Sequence, residues 1–339
     1  MEQRFLFPAS ESERQSERLP DALSLTSPSA TGFSVVPAEQ FRQTEIYRLP
    51  DHFPLLAPPQ VNQLTGKQIF RHSLLALATI ITTTLAGFFL FGSLSSGLLY
   101  SLTLLTILTA HEMGHYIACR WYGVEATLPY YIPFVLPFPV LQVGTFGAFI
   151  KIKSPIPSRR ALFDIGIAGP LAGFVFALPA TFIAHYYAQP SPFVAGDNII
   201  SLQDPLLFKF FQQVLHLPKD LLLNPVMFAS WVGLLMTALN LMPVGQLDGG
   251  HVTYSLFGHR GHRRVALLCY VAVIALVVYS IQTGSWSYIL YAVILTLMMR
   301  VGHPPVLEEE DAIGAARKLV ALIGLVIFIL CFMPFPISL

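Results

Sequence analysis

The sequence predicts an all-α polytopic membrane protein of about seven transmembrane helices, with a re-entrant, β-hairpin-like loop after the second. Three observations predict it. Of the 339 residues, 54% are hydrophobic and only 12% are charged, whereas a soluble domain carries about 25% charged residues. Apolar stretches recur near 73–92, 97–119, 161–187, 227–247, 264–282, 286–302 and 316–337, each close to the roughly 20 residues that carry a helix across a 30 Å hydrocarbon core. Between the second and third stretches lies an apolar segment too rich in proline to be helical. The net charge of +1 gives no basic field for nucleic acid, so the expected surroundings are the lipid bilayer and membrane-embedded partners.

Residues 1–68 precede the first stretch and hold eight of the nineteen acidic residues, with Ser, Pro and Gln and no sustained apolar period. They read as a largely extended tail, separate from a transmembrane domain at 69–339. The first 30 residues contain no continuous apolar run for a signal peptide. Glu2, Glu11, Glu13, Glu17 and Asp21 make them too acidic for an organelle transit peptide. Cys119, Cys269 and Cys331 show no CxxC spacing and suggest neither a disulfide framework nor a thiolate metal site.

Basic residues orient the spans. The loop after the second carries Arg120, Lys151, Lys153, Arg159 and Arg160; the loop after the fourth carries Arg260, Arg263 and Arg264; the loop after the sixth carries Arg300, Arg317 and Lys318. The opposite loops are nearly free of cations, so the positive-inside rule puts the N-terminus and its tail in the cytoplasm.

The second span contains His111-Glu112-Met113-Gly114-His115. Histidines at i and i+4 share one helical face and bring two imidazoles to one zinc ion. Glu112 lies one residue on, about 100° around the helix, beside the metal. There it can take a proton from water that the zinc polarises. Ionisable groups inside an apolar span cost about 2.5–3.5 kcal/mol or more and mark function by default.

Residues 124–152 follow, with Pro129, Pro133, Pro137 and Pro139. Phe146, Ala148 and Ile150 alternate at strand period, which suggests a hairpin that dips into the membrane where protein or a cavity satisfies its backbone. Residues 144–150 are candidates to bind substrate as an edge strand, with Gly144 and Gly147 allowing close approach and Phe146 between them.

In the third span Gly166, Gly169 and Gly173 are spaced for close helix packing, and Asp164 favours that helix's N-terminus. The loop at 190–226 contains one short helix near 204–216 and is too small for a PDZ module. The fourth span ends in Asn240-Leu-Met-Pro243-Val-Gly245-Gln-Leu-Asp248-Gly249-Gly250-His251. Pro243 and Gly245 break the helix, and Gly249-Gly250 allow a sharp turn. Asp248, held there on a bent segment, is a candidate for the third ligand that a catalytic zinc needs, the alternative being a helix-capping or loop carboxylate. Asn240, about two turns deeper, is a candidate donor to a substrate carbonyl or oxyanion. His251 is expected on the turn, His259, His262 and His303 in solvated loops, and His72 and His185 at the interface.

These segments resemble the site-2 proteases, zinc metalloproteases that cut within membranes. The resemblance rests on His111–His115, on Asn240-x-x-Pro243-x-x-x-x-Asp248-Gly-Gly, and on the glycine-rich Phe163–Gly173 segment, which together cover roughly 97–255. It implies one zinc per chain held by His111, His115 and Asp248, with Glu112 as the catalytic base. It also implies transmembrane protein substrates, cut after an earlier trimming in regulated intramembrane proteolysis. Gly245 departs from the family, in which proline is frequent, and neither a PDZ nor a CBS domain is visible.

A metal- or proton-coupled transporter is the rival from another class. It would show internal repeats and paired broken helices, and here there is one broken helix and no repeat. An inactive scaffold is the third reading, opposed by the fully occupied catalytic positions. The expected location is a bacterial inner membrane, with a plastid membrane as the alternative.

Overall fold

Thr65 starts the first helix with a reciprocal cap: its hydroxyl accepts from the Gln68 N–H, and the Gln68 side chain accepts from the Thr65 N–H, satisfying two donors that no helical carbonyl reaches. The structure, a computed structural model, describes residues 65–135, 142–191, 201–282, 292–293, 296, 306, 312–334 and 336–338. All lie in the unit Leu56–Leu339. The extended tail expected at 1–68 lies almost wholly outside the described residues.

Helix α1 (Gly66–Phe91) ends at Gly92, whose φ of +75° suits a residue without Cβ. Ser93 caps α2 (Leu94–Trp121). The two helices meet on small and hydroxylated residues. A Cβ on Gly87 would lie 2.8 Å from Gly97 Cα, and Thr83 Oγ1 is 2.6 Å from Ser101 Oγ. Thr79, Thr83, Thr84 and Gly87 are buried, while Leu74, Leu77, Ile81, Leu85 and Phe89 face outward. That polarity is the reverse of a soluble helix and fits packing in lipid, where small residues bring backbones together.

The expected hairpin is present. β1 (Tyr130–Pro133) and β2 (Thr145–Phe149) pair antiparallel, with Tyr130 opposite Phe149 and Tyr131 opposite Ala148, and an irregularity before Pro133. It lies along the α1–α2 pair. Thr82, midway along α1, donates to Gly144 O at 2.7 Å, Tyr100 donates to Val143 O at 2.7 Å, and Thr109 and Tyr131 share a 2.6 Å hydroxyl contact. His72 is buried rather than interfacial, because the chain entering the hairpin covers it and places Pro129 O 3.0 Å from its Nδ1.

Ser158 caps α3 (Arg159–Tyr186), the central helix, which packs against α2, α5 and α6. Asp164, expected to favour the N-terminus of α3, instead pairs with Arg317 at 2.6 and 2.9 Å and accepts from Tyr122. His185 is fully buried, its ring 4.6 Å from Phe208, so the interfacial expectation fails there too. The covering element is the short helix α4 (Leu206–Val214), whose Leu207, Phe208 and Phe211 enter the core.

The expected fourth span is shorter than the apolar run. α5 (Pro225–Asn240) has 16 residues, about 24 Å of rise. The chain then turns at Gly245, with φ +55°, and α6 (Asp248–Gln282) begins. The loop expected between the spans at 227–247 and 264–282 is instead mostly helical, two helical stretches meeting at Gly258, whose φ of 68° and ψ of −178° are accessible only to glycine. His262 is therefore buried and bonded to Thr253 at 2.9 Å rather than solvated. The last helix, α7 (Ala315–Cys331), stops before Pro334 and Pro336 instead of reaching 337. Ile337–Ser338 (β4) then pairs with Ser201–Leu202 (β3).

Among the described residues four helices are long and apolar enough to cross a membrane: Gly66–Phe91, Leu94–Trp121, Arg159–Tyr186 and Asp248–Tyr279. The expected sixth span at 286–302 and His303 lie almost wholly outside the described residues.

Candidate metal centre

His111 and His115 are successive positions on one face of α2, and Asp248 is the first residue of α6. Their donor atoms converge. His111 Nε2 and His115 Nε2 are 3.2 Å apart, and Asp248 Oδ2 lies 3.2 Å from the first and 3.3 Å from the second. Atoms bound about 2.0 Å from a tetrahedral ion sit about 3.3 Å from one another. The three edges of this triangle match that spacing. Two neutral imidazoles and a carboxylate are also a donor set suited to zinc. His115 Nδ1 lies 2.7 Å from Ile165 O; donating there fixes the tautomer and turns the Nε2 lone pair toward the cluster.

Asp248 is brought to this point by the turn after α5. Pro243 has no N–H, Gly245 takes positive φ, and α6 closes tightly on the turn. A Cβ on Gly249 would lie 2.0 Å from Leu241 O, and one on Gly250 2.3 Å from Gly245 O. Gly249 and Gly250 are thus the first turn of α6 pressed onto carbonyls, not the sharp turn itself. Asn240, expected two turns away, ends α5 with its Nδ2 3.1 Å from His111 Nε2.

Glu112 is buried next to the ligands, beside the Ile150 backbone. It shares a cavity of about 600 Å³ with His111, His115, Asn240, Asp248 and the chain from Ala148 to Ile156.

The strand residues behave unequally. Ala148 and Ile150 line the cavity. Gly144 (φ +83°) is pressed against Thr82 and Thr83 of α1, and Gly147 (φ +99°) against Met236 of α5, so both anchor the hairpin. Phe146 is 61% exposed, its ring 3.8 Å from that of Phe134. The cavity-lining residues Ile152, Lys153 and Gln246 were not singled out as site residues in the sequence, nor was the Ile165 carbonyl. The only sequence signal for the last was the glycine spacing that draws α3 onto α2.

The sequence profile described as peptidase family M50 matches residues 99–280. The "Probable zinc metalloprotease EGY1, chloroplastic" of Arabidopsis thaliana is 30% identical over 240 residues, covering 68% of this chain and 41% of that protein. The "Probable zinc metalloprotease EGY2, chloroplastic" of the same plant is 30% identical over 258 residues, covering 72% of this chain and 43% of that protein. The chain thus spans about two fifths of the length of these curated relatives. A solved structure, the site-2 protease from Methanocaldococcus jannaschii, aligns over 70% of this chain and 92% of its own, at 15% identity and a TM-score of 0.36.

Proposed function

The chain belongs to peptidase family M50, a family of zinc metalloproteases, and we propose that it is an intramembrane zinc endopeptidase. It hydrolyses peptide bonds in or near the transmembrane segments of other membrane proteins, in the manner of regulated intramembrane proteolysis. The observation that carries this reading is the triangle of His111, His115 and Asp248 donors beside Glu112, at a cavity between apolar helices.

His111, His115 and Asp248 would hold the zinc, which when bound would lower the pKa of water toward 7 and polarise the peptide carbonyl. Glu112 accepts a proton from the attacking water and returns it to the departing nitrogen. The C–N bond breaks to a carboxylate and an amine.

A transmembrane helix keeps its peptide bonds internally hydrogen-bonded, so the substrate must unwind at the site. In β2 and its continuation, Lys151 and Lys153 bond toward Thr127 and Glu125. Alternate residues, Ala148, Ile150 and Ile152, then turn their backbone to the other edge, where Ile150 meets Glu112. That edge takes an extended substrate by β-augmentation. Asn240, beside His111, donates to its backbone.

The metal centre lies toward the cytoplasmic face and the N-terminus is cytoplasmic. Supporting this, exposed Arg120, Lys151 and Lys153 cluster at the end of α2 and along the cavity. The membrane of residence is a bacterial inner membrane, with a plastid membrane, the location named for the plant relatives, as the alternative.

The test uses the full chain, purified in detergent with zinc, and a synthetic single-span membrane protein. Cleavage within or beside the span, abolished by a chelator and restored by zinc, is expected. A protein that holds zinc yet leaves every such substrate intact contradicts the proposal.

A further inference from the structure

The cavity contains a third histidine. His251 lines it together with His111 and His115, yet the group of donors that converge consists of His111, His115 and Asp248 alone. Those three complete the protein ligands of a catalytic zinc, which keeps its remaining position open. The chemistry described so far gives His251 no role.

Its place is set from two sides. On α6 it follows Asp248 by three residues, so both project from one helical face. On α3 it has a seat of its own. A Cβ on Gly173 would lie 3.1 Å from His111 Cβ, one on Gly169 2.1 Å from His115 Nε2, and one on Gly166 2.8 Å from His251 Cβ. These glycines are at i, i+3 and i+7, one face of α3. The three imidazoles therefore lie in a row along that face, in the order His111, His115, His251. The step from Gly169 to Gly166 is about 4.5 Å along the axis. Asn240 touches the row at its first member, His111, and His251 is its last. Both non-ligand donors line the cavity that holds the metal triangle.

β2 residues Ala148 and Phe149, the metal-binding residues, Asn240 and His251 all line the one cavity. We propose that His251 is a further catalytic residue: its imidazole N–H donates a hydrogen bond to the scissile carbonyl oxygen as negative charge develops there. Asn240 holds the neighbouring backbone at the other end. His251 neither gains nor loses a proton; water supplies the oxygen, and Glu112 carries the proton from water to the amine. Charge-directed donors of this kind act on the transition state more than on the bound substrate, so kcat and not KM carries the effect.

This inference rests on the peptidase reading, and its test separates the two. The full chain is purified with zinc and assayed against a synthetic single-span substrate, with zinc per chain and melting temperature measured alongside. His251→Ala is expected to keep its zinc and a KM within about twofold, while kcat falls about 10²-fold. Either His251→Gln or His251→Asn, whose amides reach the positions of the two ring nitrogens, recovers about tenfold of that loss.

Wild-type kcat in zinc-loaded His251→Ala overturns the inference. Loss of zinc overturns it as well, by making His251 a ligand. A kcat loss that no amide rescues and that tracks the melting temperature assigns His251 to packing alone. Should His251→Ala not fold, the amide variants carry the test: both at least 10³-fold below wild type in a folded, zinc-loaded state contradicts the inference. If the wild-type protein with its zinc cleaves nothing, the peptidase reading fails instead.

Discussion

The ligand imidazoles are held from behind by residues that have no metal-binding chemistry. Gly169 leaves the space that His115 occupies, and Ile165 O receives its Nδ1–H. Gly169→Ala should therefore move His115 off the cluster and weaken zinc binding at least tenfold, the lower end of what displaced supporting contacts cost. Zinc titration of the purified variant against a competing chelator checks it. Arg317 forms a two-pronged pair with Asp164 at about 29% exposure, tying the start of α7 to α3. Its replacement by Met should cost about 1 kcal/mol, seen as a lower melting temperature with zinc content unchanged. The His111–His115 pair is legible in the sequence because i, i+4 spacing fixes a shared face. Asn240 is not legible in the same way: its depth counted along a straight helix misses the turn at Gly245 that folds α6 back beside it. The burial of His185 and His72 depends on α4 and on the chain before β1, neither of which any local pattern around those residues announces.

At the scale of elements, the hairpin and the α5–α6 turn do the positioning. Phe146 lies in β2, the strand proposed to pair with substrate, at the register irregularity opposite Tyr131–Pro133. Phe146→Pro should impair cleavage of an intact transmembrane substrate while zinc content and melting temperature stay unchanged. Full activity in that folded variant contradicts substrate pairing along β2, though not the peptidase assignment. Gly258→Ala forces a side chain into a backbone region reserved for glycine and should cost about 1–3 kcal/mol, read as a lower melting temperature. The hairpin is readable from the alternation of Phe146, Ala148 and Ile150. The boundary between α5 and α6 is not, because the apolar run to residue 247 hides a helix that stops at Asn240, with Pro243 and Gly245 as its only marks. Likewise the basic residues around 260–264 suggest a loop, whereas the chain breaks only at Gly258 and is helical on either side.

Across the whole molecule, apolar helices with small and hydroxylated inner faces surround α3, and the metal centre opens toward the end that carries Lys151 and Lys153. The proposed orientation puts those residues and Lys219, in the loop between α4 and α5, on opposite sides of the membrane. Cysteines introduced at Lys153 and at Lys219, both exposed, should react with an impermeant thiol reagent from the cytoplasmic and the non-cytoplasmic side respectively; the reverse pattern overturns the orientation. The central claim is that the ligand triangle and Glu112 have separate tasks, metal binding and proton transfer. The most direct measurement is zinc content and cleavage rate on the same preparation of Glu112→Gln, compared with His111→Ala and Asp248→Ala. The account predicts about one zinc per chain in Glu112→Gln with a cleavage rate reduced about 10²–10⁴-fold, and loss of both zinc and cleavage in the other two. Substantial proteolysis by zinc-loaded Glu112→Gln, or full zinc in Asp248→Ala, contradicts it.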